Sequence, residues 1–334
     1  MSRFRTLPKV ELHLHAEGTL EPELAFALAR RNGIELPFAS EAELRAAYDF
    51  TDLQSFLDLY YATTAVLWTR RDFDDLLWAY LQRSAEQGLQ HVEVFFDPQA
   101  HTVRGVAFTD IVDGLGDALT RARTELGITG GLIMCFLRDR PVTEAARTLD
   151  EAATRLDALL GVGLDSAEVG FPPGPFAEVF ARAAQLGLRR VAHAGEEAPA
   201  SSVLEALDTL GVERIDHGVR ALDDPHLVER LVREEIPLTV CPLSNLRLRV
   251  VDDLARHPLP AMLAAGLKVS LHSDDPAYFG GYVGDTFDAV ARSLGLDDET
   301  AALLSRNAVA GSFATAERKT ELLTAIERWL TGPR

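Results

Sequence analysis

The sequence predicts a (β/α)8 TIM barrel with a helical insertion after its first strand and extra C-terminal helices. Three observations carry this. Eight short apolar runs alternate with amphipathic stretches of about a dozen residues or more. The runs are apolar throughout, as strands covered on both faces must be. The polar residues that stand out gather at the C-terminal ends of the runs, where a barrel places its active site. A doubly wound open sheet shares the alternation and is the competing layout. The 334 residues read as one domain, 1–334, because a barrel of about 250 residues absorbs insertions of this size.

The first strand lies in the stretch Lys9-Val10-Glu11-Leu12-His13-Leu14-His15-Ala16-Glu17-Gly18. Val10, Leu12 and Leu14 alternate with Glu11, His13 and His15, and extended backbone sends alternate side chains to opposite faces. Both imidazoles therefore leave on one side, where they can share a metal. Residues 21–32 carry strong helix formers at helical spacing, with Thr19 available as N-cap and Gly33 at the end. Residues 53–80, rich in aromatics, form the helical insertion, which packs into the core or roofs a site beside the first strand. The other strands are 91–96, 132–138, 161–165, 190–194, 214–217, 237–241 and 267–272. Helical patterns at 109–126, 142–160, 175–186, 201–210 and 225–235 lie between them, and 301–330 reads as helix packed outside the barrel.

Composition narrows the partners. Asp and Glu outnumber Lys and Arg 51 to 33, a formal charge of −18, and a field of that sign repels phosphate backbones, so no nucleic-acid partner is expected. Cys135 and Cys241 both lie in apolar runs, where a thiol behaves as a small hydrophobe, and neither is expected near the site. The N-terminus lacks the apolar run of a signal peptide, and no apolar segment is long enough to span a bilayer. The expected location is cytoplasmic, with no membrane partner.

The strand ends supply the chemistry. Strand one ends in His13, His15 and Glu17; strand four in Asp165 and Glu168; strand five in His193, Glu196 and Glu197; strand six in Asp216 and His217; strand eight in His272, Ser273, Asp274 and Asp275. Zinc takes nitrogen, oxygen or thiolate ligands with one position left open, and His13, His15, His193 and one of the two aspartates make such a set. Asp274 and Asp275 are adjacent and face different ways, so one can reach the metal while the other meets substrate; an Asx-type turn before Pro276 is the plainer reading.

His13-x-His15, His193-Ala-Gly-Glu196, Arg214-Ile-Asp-His217-Gly218, Cys241-Pro-Leu-Ser-Asn245 and Ser273-Asp-Asp-Pro276 resemble the ordered motifs of the adenosine/adenine deaminase family of the amidohydrolase superfamily. Phe95-Phe-Asp-Pro-Gln99, His101 and Gly161-Val-Gly-Leu-Asp-Ser166 are among the stretches similar to its bacterial and fungal adenine-deaminating branch. The resemblance implies one Zn2+ held by His13, His15, His193 and Asp274, and hydrolysis of adenine to hypoxanthine and ammonia in purine salvage. By position, Glu196 would carry the proton at purine N1, His217 would orient or deprotonate the attacking water, Asp275 would meet N7 and the Gly163 N–H would meet N3. Glu197 is the alternative to Glu196. Glu17, one methylene longer than the aspartate the nucleoside branch uses, would occupy sugar space and accept from the base; its plainer role is to fix the turn at Gly18. His272 and Ala16 depart from the family pattern, and His272 is expected to support the site rather than ligate. Deamination of adenosine, of N6-substituted adenines or of another 6-aminopurine nucleoside, or purine binding without catalysis, are the other readings.

Overall fold

A computed structural model describes residues 2–332. Eight parallel strands follow one another in chain order: β1 (Lys9–Glu11), β2 (Leu89–Phe96), β3 (Thr129–Leu137), β4 (Leu159–Asp165), β5 (Arg189–Ala194), β6 (Arg214–His217), β7 (Pro237–Val240) and β8 (Lys268–Leu271). Every expected strand forms. A doubly wound sheet would reverse its strand order at a switch point; here the order runs unbroken, so the barrel reading holds. The seam between β8 and β1 closes at the rim, where Leu14 bridges Asp274, the His15 N–H donates to the Asp274 carbonyl at 3.1 Å and the Asp274 N–H to the His13 carbonyl at 3.1 Å.

Below that closure the ladder is broken by side chains. The Leu12 N–H donates to His272 Nδ1 at 3.0 Å, and the Leu12 carbonyl accepts from Arg214 Nη2 at 3.1 Å. This is why β1 ends at Glu11 although the extended pattern continues through His15. The His272 ring is fully occupied, its Nε2 lying 2.7 Å from Ser270 Oγ, and it serves the seam rather than a metal.

The first helix, α1 (Pro22–Asn32), starts at Pro22 after Glu21, not at Thr19, because Thr19 is spent closing the short turn Glu17–Thr19 through its hydroxyl on the Ala16 carbonyl at 2.7 Å. Gly33 ends it with φ 65°, as expected. A short helix, α2 (Glu41–Ala46), precedes the insertion, which is two helices, α3 (Leu53–Thr64) and α4 (Arg70–Ala85). The break comes from Asp72, whose carboxylate captures the N–H groups of Trp68 and Thr69 and so starts a new helix. α3 roofs the C-terminal mouth of the barrel. α4 buries Phe73, Leu76, Leu77, Tyr80 and Leu81 against the wall. The insertion thus does both of the things its aromatics suggested, one in each half.

The 142–160 pattern stops at Ala152 and passes through a 3-10 turn into β4 at Leu159, and the C-terminal helix is two, Asp298–Gly311 and Ala316–Thr331. Between them Phe313 packs against the barrel's inner layer of Phe95, Ile133, Cys135 and Val191. Among the described residues no helix is long and apolar enough to cross a membrane.

Candidate active site

Three imidazoles and one carboxylate crowd a single point at the mouth. His13 Nε2 lies 3.2 Å and His15 Nε2 3.5 Å from Asp274 Oδ1, and His15 Nε2 lies 3.1 Å from His193 Nε2. One donor atom from each of the four residues falls within 4.8 Å of all the others, and all four side chains are buried. Asp274 is delivered by a left-handed backbone, φ 64°, at the end of β8; His217 at β6, φ 65°, and Ser166 at β4, φ 71°, use the same device. A non-glycine residue in that region costs of order 1–3 kcal/mol, which the surrounding ladder must hold in place.

The far nitrogens face oxygen. His13 Nδ1 meets Thr239 Oγ1 at 2.9 Å, and that hydroxyl donates to Asp216 Oδ1 at 2.8 Å. His193 Nδ1 lies 3.7 Å from Asp216 Oδ2, and His15 Nδ1 lies 3.6 Å from Asp165 Oδ2. Metal-ligating histidines are held in this way, by an oxygen on the ring nitrogen that does not ligate. Burial pushes His193 well below its ordinary pKa and His15 down to about 4, so both stand as neutral rings, the ligating form. Burial alone would raise Asp274, but His13 beside it holds it well below the usual carboxylate range. His13 Nε2 is buried without a hydrogen bond. A divalent cation bound here would resolve this crowding, and the nitrogen-and-oxygen donor set suits zinc.

One expectation about cysteine needs correcting. Cys241, placed away from the site by its apolar run, lies at the end of β7 within 4.8 Å of His13, His217 and Asp274 donor atoms. Burial pushes its thiol well above the ordinary range, so without a cation beside it the sulfur stays protonated.

Beside the metal set stand the proton-handling groups. Glu196 Oε2 is 3.5 Å from His217 Nε2, and Glu196 Oε1 is buried with no partner. Burial, reinforced by Asp274, raises Glu196 well above its ordinary value, so it carries a proton. Burial drives His217 down to about 3, leaving a neutral ring with Nε2 3.8 Å from Asp274 Oδ2. Asp275 is buried and also pushed well up, by burial and then by Asp274. Its side chain makes no capping bond to the helix Pro276–Phe279, so the Asx-turn reading fails. Gly18 lets it in: a Cβ there would lie 2.0 Å from Asp275 Oδ1.

His15, His193, Glu196, His217, Asp274 and Asp275 open into one cavity, roofed by Leu53, Phe56, Leu57, Tyr60 and Tyr61 of α3 and walled by Asp97, Asp165, Ser166 and Phe279. Two expected contacts lie elsewhere. Gly163 is inside the β4 ladder opposite Cys135, where a Cβ would sit 2.5 Å from Cys135 Sγ; it lies two residues short of the rim and does not line the cavity. Glu17 stands behind the wall. Its Oε1 accepts from the Asp97 N–H at 3.1 Å and from His101 Nε2 at 2.8 Å, and its Oε2 is buried and unpartnered.

The profile of the family described as adenosine deaminase matches residues 8–329. The chain belongs to the adenosine deaminase family. It is 64% identical over 307 residues to an adenine deaminase of Streptomyces coelicolor, covering 92% of this chain and 90% of that one. The crystal structure of an adenine deaminase from Arthrobacter aurescens is 55% identical and superposes with a TM-score of 0.96, covering 98% of this chain and 100% of that one. An amidohydrolase from Burkholderia ambifaria with bound Zn is 28% identical with a TM-score of 0.90, over 98% of this chain and 92% of that one.

In this family member the wall holds a feature the sequence reading passed over. Asp97, at the end of β2, and Asp165, at the end of β4, bring carboxyl oxygens within 4.8 Å of each other and of a His15 ring nitrogen; burial pushes Asp97 well up and Asp165 to about 7. Two buried carboxyls this close disfavour each other's ionisation, which holds both above the usual carboxylate range. The signal was available, since Asp97 follows its strand as Asp165 does.

Proposed function

We propose that this chain hydrolyses adenine to hypoxanthine and ammonia, with one zinc ion held by His13, His15, His193 and Asp274. The observation that carries the reading is the buried Glu196 carboxyl, its Oε1 unpartnered, lining one cavity with His15, His193 and Asp274 of the ligand set. That is the arrangement of an acid waiting for a base. The choice of adenine follows the adenine deaminases that the chain resembles over nearly its whole length.

Zinc held by His13, His15, His193 and Asp274 would lower the pKa of a water to near 7 and so supply the nucleophile. The chain's own residues do the rest. His217, neutral, accepts a hydrogen bond or a proton from the water attacking C6. Glu196, protonated, gives its proton to N1 as the water oxygen bonds to C6; the proton that His217 took from the water then goes to the 6-amino nitrogen, the C6–N bond breaks, ammonia leaves, and the C6 hydroxyl proton returns to Glu196 to leave the hypoxanthine carbonyl. Asp275, also protonated, donates to N7. The Asp97–Asp165 pair offers one donor and one acceptor to the N3/N9 edge, in place of the Gly163 N–H. Glu17 holds Asp97 from behind. The free thiols of Cys135 and Cys241 suit the reducing cytoplasm in which we place the protein.

The test is product and metal together. Purified protein with about one zinc per chain should convert adenine to hypoxanthine and ammonia in equal amounts, and His13→Ala should lose both metal and turnover. Full metal and full turnover in His13→Ala would overturn the ligand assignment.

A further inference from the structure

Glu168 stood among the strand-end acids, yet it takes no part in the chemistry above and does not line the cavity. Its carboxylate is nevertheless the most heavily bonded in the site. Oε1 accepts from the Gly195 N–H at 2.7 Å and from Ser202 Oγ at 2.7 Å; Oε2 accepts from the N–H groups of Glu196, Glu197 and Ala198, each at 3.0 Å. Four consecutive backbone donors converge on one buried anion that the chain itself supplies. Such a concavity forms where backbone N–H groups turn inward together, and it selects negative charge. The turn depends on Gly195, whose φ is 70° and where a Cβ would lie 2.7 Å from Val203 Cγ2.

The side chain of Glu196 forms no hydrogen bond at Oε1, and its Oε2 lies 3.5 Å from His217. Nothing at its own tip fixes its place, so its backbone must. We propose that Glu168 is a positioning residue, setting the loop 195–198 in the conformation that presents the Glu196 carboxyl to the substrate. Arg138 anchors the other end of the same turn, its Nη1 donating to the His193 carbonyl and its Nε to the Phe171 carbonyl, both at 2.7 Å. Glutamine cannot replace Glu168, since its amide N–H2 would confront backbone donors.

The proposal rests on Glu196 as proton carrier, and a double-mutant cycle on the zinc-loaded enzyme separates the two. Glu168→Gln should lower kcat by at least about tenfold while KM and metal content stay at wild-type values, because a small misplacement of a reacting group is costly. In a Glu196→Gln background the same change should cost less than about twofold, since coupled residues are not additive. A role in general stability would give the same fold-loss in both backgrounds, and that result, or a Glu168→Gln kcat within about twofold of wild type, overturns the proposal. Wild-type turnover in Glu196→Gln alone overturns instead the proton-carrier reading, and the proposal with it. If Glu168→Gln does not fold, Ser202→Ala removes only one of the five donors and serves in the same cycle. It should lower kcat about threefold, an effect that vanishes in Glu196→Gln, and an equal loss in both backgrounds overturns the proposal.

Discussion

Glu196 and Glu197 are neighbours in sequence and differ in surroundings. Glu196 is buried beside His217; Glu197 is half-buried and faces Glu168 and Asp52. Glu196→Gln should therefore keep zinc and lose about 10²–10⁴-fold in kcat, while Glu197→Gln stays within a few-fold; the reverse order in steady-state rates would exchange their roles. The sign of the pH dependence follows. A carboxyl whose pKa is raised by burial works as an acid below that pKa, so kcat/KM should fall as pH climbs through it, and Glu196→Gln should lack that alkaline limb. The clustering of His13, His15, His193 and Asp274 was legible because alternation and strand-end position both point to the same atoms. Gly163 and Cys241 were not, because one or two residues along a strand decide which group reaches the rim, and apolar runs do not mark their last residue to that accuracy.

At the level of elements, the segment after β7 hangs on one histidine. His257 is buried, its Nδ1 accepting from the Leu259 N–H at 3.1 Å and its Nε2 donating to Asn245 Oδ1 at 3.1 Å. Both bonds require the neutral ring, and burial lowers its pKa to about 4. The unfolded chain takes up this proton near pH 6.5 and the folded one only near 4, so stability contributed above pH 6.5 is lost as pH falls toward 4. The loss is on the order of 3 kcal/mol. Thermal melts from pH 7 to 4 should show His257→Gln less stable than wild type at pH 7, with the gap closing toward pH 4; a gap independent of pH would contradict the assignment. Such a role could not be read from the sequence, since 251–258 carries no periodic pattern. The two-helix nature of the insertion was hidden differently: the apolar spacing runs on through 65–69, and only the capture of two N–H groups by Asp72 breaks it.

The whole barrel is tied across its interior by Arg214. It pairs with Glu93 at 2.5 Å, donates to the Leu12 carbonyl and stacks its guanidinium 4.9 Å from the Phe313 ring centroid, with both charged side chains fully buried. Removing one partner strands the other charge, so Arg214→Met should destabilise by about 3–5 kcal/mol, and Arg214→Met with Glu93→Leu should recover much of that in denaturant melts. Eight strands could be counted from the sequence, but not this seam, where a histidine and an arginine stand in for missing ladder bonds between β8 and β1. The account's central claim is that the mouth roofed by α3 acts on the free base. The most direct measurement is kcat/KM for adenine against adenosine on the zinc enzyme. Adenine should be preferred by at least about tenfold, a gap of roughly 1.4 kcal/mol in transition-state binding. Equal or better turnover of adenosine would contradict it.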